Sequence, residues 1–251
     1  FVFPATGTGG WEATIANTLS PGDKVLACRH GVFSDKWIRM CEAFGLVVDV
    51  IECDWRGPAD PALIEAALLA DQNHAIKAVL ATHNETATGV RSDLKAIREE
   101  SIDRAEHNAL FFVDGVSSIA SMDFQMDAWG IDAAVTGSQK GFMMPAGLAI
   151  VAVSDKAIDA GKTASLPRFF FDFKQMGQMT HQGGFPYTPP MQLLAGLQHS
   201  IDLLLAEGLD EVFSRHFKMG EGVRQAVSAW NLSLCCEDLQ LSLIHISEPT
   251  R

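Results

Sequence analysis

Leu110-Phe111-Phe112-Val113-Asp114-Gly115-Val116-Ser117-Ser118 is four apolar residues stopped by a carboxylate and a small-residue turn. A short continuous apolar run bounded by turn residues reads as a strand buried on both faces. Twenty-six residues after Asp114 the arrangement recurs, with Gly137-Ser138-Gln139-Lys140-Gly141 closing the strand-like run 132–137. Working outward, similar runs fall at 1–5, 24–29, 47–53, 76–82 and 148–153, which makes seven. Helix-length segments lie between most of them, 37–44, 61–70 and 93–107 being the clearest. The order predicts a three-layer α/β fold with a mostly parallel seven-stranded sheet covered on both faces. Ligands of such a sheet gather beyond the strand C-termini. Thr6, Thr8, Phe33, Thr86, Asp114 and Lys140 all come just after predicted strands, and so share that edge.

A strand-end Asp and a Lys one βα unit later are what pyridoxal phosphate chemistry needs. The Lys amine holds the cofactor's aldehyde as a Schiff base, and the carboxylate keeps the ring nitrogen protonated so that the ring can absorb carbanion electrons. An isolated pair reads more readily as a surface Lys and a helix-capping Asp. The neighbouring segments, which converge on one sheet edge, reverse that, and the start of the chain adds a third element that alone is weak. Residues 1–5 read as a buried strand, Thr6-Gly7-Thr8-Gly9-Gly10 as a loop and 11–19 as a helix. Glycines let the backbone approach a phosphate, the hydroxyls of Thr6 and Thr8 can donate, and a helix N-terminus offers unpaired N–H groups. Neither the dinucleotide pattern G-x-G-x-x-G nor the triphosphate pattern G-x-x-x-x-G-K-[ST] is present. A Schiff-base aldolase without cofactor would leave Asp114 and the cradle unexplained.

The motifs FPATGTGGWEA, LSPGDKVL, THNETATGV, FFVDGVSSIAS, GSQKGFMMPAGLAIVAVS, LPRFFFDF and FPYTPP occur in order over residues 1 to about 240. In these the chain resembles the class V aminotransferases of pyridoxal phosphate fold type I, and within them the alanine:glyoxylate and bacterial serine:glyoxylate branch. The resemblance implies Lys140 as the Schiff-base residue, Asp114 as partner of the ring nitrogen, and Thr6, Gly7, Thr8 and Gln139 as phosphate ligands. It implies Phe33 stacked on one face of the ring, Val116 on the other and Thr86 at the ring oxygen, with Asn84 and Glu85 ordering their own turn. Tyr187 and Thr188 would reach the phosphate bound by the partner in a homodimer. The implied reaction moves an amino group from L-serine or L-alanine to glyoxylate. Two rivals are a cysteine desulfurase-like lyase, against which Phe33 and the lack of a mobile Cys loop argue, and a non-catalytic α/β interaction module.

The formal net charge of −12 disfavours nucleic acid as a partner, and no apolar run is long enough to span a bilayer. Five scattered cysteines, Cys28, Cys41, Cys53, Cys235 and Cys236, fit a reducing, cytoplasmic-type compartment better than a disulfide framework. No His or His/Cys pair has metal-ligand spacing. The resemblance makes His83 a structural neighbour of the site. The expected organisation is a cofactor-binding domain over 1–190 without its N-terminal arm, then connecting helices over 191–240 that lead to a truncated small domain. Leu241 to Arg251, LSLIHISEPTR, resembles the translation of a sequencing adapter. The Arg that clamps the substrate carboxylate in the family has no counterpart here, since Arg215 and Arg224 lie on a connecting helix. This stretch alone is therefore expected to hold most of the cofactor site and to turn over little or nothing.

Overall fold

The computed structural model describes residues 1–236; the segment 241–251 lies outside the described residues. The chain begins with β1 (Val2–Phe3) and α1 (Gly7–Thr18), followed by β2 (Lys24–Arg29), α2 (Val32–Ala43), β3 (Val47–Glu52), α3 (Pro61–Ala70) and β4 (Ile76–Thr82). A small ribbon of β5 (Asn84–Glu85) and β6 (Val90–Arg91) comes next. Then follow α4 (Leu94–Ile97), which runs into a π-helical segment Arg98–Asp103, and the strands β7 (Leu110–Asp114), β8 (Ala133–Gly137) and β9 (Ala149–Val153). Four helices complete the described chain: α5 (Asp155–Ala160), α6 (Phe173–His181), α7 (Met191–Glu207) and α8 (Leu209–Ala229).

The seven-stranded sheet has the order β1-β9-β8-β7-β4-β2-β3. Its five central and edge strands β8, β7, β4, β2 and β3 pair in parallel, while β9 is antiparallel to both β8 and β1. All seven expected strands are present, within a few residues of their expected ends. Alternation along β7 explains its unbroken apolar run: Leu110 and Phe112 join one core, Phe111 and Val113 the other, and the strand is buried throughout. The first core lies under α1 and α2, with Trp11, Ile15, Trp37 and Ile38 against the sheet; the second lies under α3 and α4, with Ile64, Leu68, Leu94 and Ile97.

Local sequence sets several boundaries. Asp60 accepts from Ala62 N at 2.9 Å and Pro61 occupies the first helical position, so α3 starts as the sequence requires. Three expectations need correction. Thr6 to Gly10 is not a loop: the helix starts at Gly7, because three glycines among four residues let it lie flat on the sheet at little steric cost. The stretch 93–107 is not one regular helix, but a single α-turn capped by Asp93 that widens into the π-helical segment. The second helix begins at Val32 rather than 37, which puts Phe33 in its first turn. Among the described residues no helix is long and apolar enough to cross a membrane.

Candidate active site

Thr82 pairs with Asp114 and Asp114 with Val135, so the ends of β4, β7 and β8 come level along one edge. Asp114 ends β7 there, almost fully buried. Its Oδ1 accepts from Val116 N at 2.9 Å. Burial above all, with the nearby negative charge of Glu85, pushes its pKa up to about 7; the Val116 N–H, the Trp11 indole and Lys140 pull it down without winning. The Trp11 indole Nε1 is buried beside the carboxylate yet lacks a partner with full hydrogen-bond geometry. Its ring is fixed by stacking on Trp37, centroids 5.5 Å apart.

Lys140 lies in the turn after β8, half-buried and close enough for its charge to act on Asp114. Four contacts hold this turn. Ser138 Oγ donates to Pro145 O at 2.7 Å and accepts from Leu148 N at 3.1 Å, while Met143 N donates to Lys140 O at 2.8 Å. Ser200 Oγ, on α7, donates to Phe142 O. Gly141 is required by closeness: a Cβ there would collide with Ile119 O and lie 2.8 Å from Ser121 Oγ.

The cradle forms where α1 meets β8. Gly10 N donates to Thr6 O at 3.1 Å, which leaves the N–H groups of Gly7, Thr8 and Gly9 without helical acceptors. Thr6 is the N-cap residue, but its hydroxyl makes no capping bond, and both Thr6 and Thr8 are exposed. A Cβ on Gly7 would overlap the Val116 side chain, and one on Gly137 would lie 2.7 Å from Gln139 Oε1 and 3.3 Å from Gly7 N. Gly7, Val116, Gly137 and Gln139 thus converge. The Gln139 Oε1 atom is buried without a partner. With the amide turned over, as its interchangeable O and N permit, the same position presents N–H donors.

Phe33 is half-buried in the first turn of α2, with Lys36 Nζ 5.7 Å from its ring centroid. Thr86 is half-buried in the turn between β5 and β6. Asn84 Nδ2 donates to Ser117 Oγ at 2.9 Å, and that hydroxyl returns a bond to Asn84 O at 2.8 Å, which ties this turn to the one after Asp114. His83 is buried against Phe124 and Trp129, and burial drives its pKa down to about 3. Tyr187 packs on the same core as Phe33 and Val116. It stacks on Phe170 at 4.2 Å with its hydroxyl buried and unpartnered, and Thr188 beside it is exposed.

Two residues matter more than the sequence suggested. Trp11 stands in the quoted motif but carries no titratable group, so only its contact with Asp114 reveals it. Glu85 does order its turn, Ala87 N donating to its Oε1 at 3.1 Å, but it also reaches α2, where its Oε2 accepts from Phe33 N and Ser34 N, each at 3.0 Å.

Comparison with known proteins bears on the family and the fold. The chain is 58% identical over 235 residues to the L-aspartate–glyoxylate aminotransferase of Paracoccus denitrificans, covering 94% of this chain and 59% of that protein. It is 54% identical over 241 residues to the serine–glyoxylate aminotransferase of Hyphomicrobium methylovorum, covering 95% and 59%. The chain therefore spans about three fifths of the length of these relatives. Among solved structures, the alanine–glyoxylate aminotransferase of Nostoc sp. superposes with a TM-score of 0.89 at 28% identity, over 97% of this chain and 64% of that one. The family model for class V aminotransferases matches residues 2–238, nearly the whole sequence, and on that match this chain belongs to the class V aminotransferase family.

Proposed function

We propose that this chain is the cofactor-binding part of a pyridoxal-phosphate-dependent aminotransferase whose full-length form transfers the amino group of a small L-amino acid to glyoxylate. One observation carries the reading: a carboxylate buried at a strand end, its pKa raised to about 7, beside the only Lys of that edge's Gly-rich turn. A buried carboxylate of this kind is costly without a cationic partner, and a protonated ring nitrogen is such a partner. The cradle fits as well. Three N–H groups without helical acceptors at a helix N-terminus suit a phosphate, together with the Gln139 amide, whose buried Oε1 has no partner and which can turn over to present N–H donors.

When bound, the cofactor supplies an electron sink for the carbanion left at the substrate Cα. Gly7, Thr8 and Gln139, with Thr6, would hold its phosphate; Phe33 and Val116 would bracket its ring, and Thr86 would meet the ring oxygen. Asp114 uses Oδ1 for the Val116 N–H, which leaves Oδ2 to hold the proton at the ring nitrogen. Lys140 Nζ would hold the cofactor's aldehyde and, when free of it, would be the amine placed to take up and return the proton at the substrate Cα. The bracing of its turn by Ser138 and Ser200 fixes the backbone from which that amine extends. In the same reading residues 1–190 form the cofactor domain, 191–240 lead to a small domain, and Tyr187 and Thr188 serve the partner subunit's phosphate in a homodimer.

The donor is a small amino acid such as L-serine or L-aspartate, for which the two relatives above are named. An absorbance scan of the purified chain with added pyridoxal phosphate tests the cofactor reading. A visible band that Lys140→Ala abolishes is expected, and a folded wild-type chain without one would sink it. With the full-length protein, glycine formed from glyoxylate with either donor tests the substrate reading; none with both would remove it.

A further inference from the structure

Glu85 is fully buried. A carboxylate is held in such a place only by strong donors, and the donors here are backbone N–H groups of two elements. Oε1 takes the Ala87 N–H of its own turn, and Oε2 takes both Phe33 N and Ser34 N at the start of α2. The neighbourhood is built for this contact. A Cβ on Gly31 would collide with Glu85 Cγ and Cδ, and since Gly31 is extended (φ 171°) the glycine is needed for space rather than for conformation. Ser34 Oγ donates to Gly31 O at 3.0 Å and accepts from His30 N at 3.1 Å, locking the turn that carries Phe33. Within its own turn the side chain takes only the Ala87 N–H, through Oε1, while both N–H groups on Oε2 belong to α2.

We infer that Glu85 is a positioning residue for the cofactor ring, acting through Phe33, whose backbone N–H it fixes at the mouth of α2. The inference rests on the functional reading above, in which Phe33 stacks on that ring. Glu85 touches neither the cofactor nor the substrate. Its side chain sets where the aromatic ring stands and ties the turn holding Thr86 to the helix holding Phe33.

The test is a double-mutant cycle on pyridoxal phosphate affinity, followed through the Lys140-dependent band, with Glu85→Ala, Glu85→Gln, Phe33→Ala and the Glu85→Ala/Phe33→Ala pair. Glu85→Ala should weaken binding about tenfold, the ratio that one charge-assisted hydrogen bond corresponds to. Glu85→Gln keeps an acceptor oxygen for both N–H groups and should lose less than about threefold. On the Phe33→Ala background, Glu85→Ala should add less than about twofold. Equal losses on both backgrounds, or a Gln variant as weak as the Ala variant, would overturn the inference. Amide hydrogen exchange at Phe33 and Ser34 in the cofactor-free chain is read alongside, with a thermal melt to confirm folding, and should quicken in Glu85→Ala. Unchanged exchange overturns the anchoring whatever the cofactor does. A wild type without the band instead removes the functional reading, and Glu85's cofactor role with it.

Discussion

Asp114 shows how one residue ties stability to chemistry. Its pKa is raised from 3.8 to about 7 in the fold, so between those values the native state binds more protons than the unfolded one. Stability from this group is therefore present at low pH and lost as pH rises from about 4 to 7, by about 4 kcal/mol in all. His83 has the opposite sign: held neutral with a pKa of about 3, it costs stability as pH falls below 6.5. The wild-type profile mixes the two, so the difference between Asp114→Asn and wild type isolates the aspartate. That difference, from urea titrations, should move in favour of the variant across pH 4 to 7 and level off above. A difference independent of pH would mean that the carboxylate is ionised throughout. In the proposed function the same substitution keeps an acceptor oxygen but removes the negative charge that would hold the ring nitrogen protonated, so the stabler protein is expected to be the weaker cofactor binder and catalyst. Such an exchange of stability for function is what a buried charge kept for a ligand would produce.

At the scale of elements, α1 is held to the sheet by absence of side-chain bulk. A Cβ on Gly10 would lie 2.5 Å from Val135 Cγ1 and 3.4 Å from Val151 Cγ2, so the helix rests directly on β8 and β9. Alanine is the better helix former, worth up to about 1 kcal/mol over glycine. Overpacking costs about 1–3 kcal/mol, and here the obstructing atoms belong to two buried valines in the middle of the sheet. Packing should win, so Gly10→Ala is expected to lower the urea midpoint despite its propensity gain; a raised midpoint would show that α1 can lift freely. Lifting would also part Gly7 from Gly137, whose separation sets the cradle. Helix α2 illustrates the complement, because its first turn takes its acceptor not from a local cap but from Glu85, some fifty residues away.

At the scale of the molecule, the last two helices differ from the sheet they serve. Helix α7 braces the Lys140 turn through Ser200, yet α7 and α8 leave Leu203, Leu205, Phe217 and Met219 exposed, and Trp230 just beyond them is 68% exposed. Phe169, ahead of the stacked Phe170 and Tyr187, is 86% exposed. Exposed apolar side chains in this number favour association. The chain is expected to self-associate with rising concentration in sedimentation velocity, and Leu205→Lys with Phe217→Lys should reduce this without changing the thermal midpoint. A monomer at all concentrations would show that these side chains are scattered rather than joined in one patch.

The strands, their number and the edge they share were legible in the sequence because apolar runs of this length have few other places to go than between two layers of helices. The place of Asp114 and Lys140 on that edge was legible for a related reason: one ends a strand and the other follows one, and a parallel sheet carries its strand ends to one side. Gly7 and Gln139 came from the resemblance alone. The start of α1 was misread, because glycine signals a loop by propensity and says nothing of the flat packing that makes a glycine-rich helix stable. The role of Glu85 was only half legible. Its own turn is local, but the N–H groups it accepts come from residues some fifty positions earlier, and no sequence period links the two. The raised pKa of Asp114 likewise belongs to the tertiary structure. A carboxyl in a sequence has its ordinary value, and only the layers closed over this one, with Glu85 beside it, make the charge costly enough to hold a proton near neutrality.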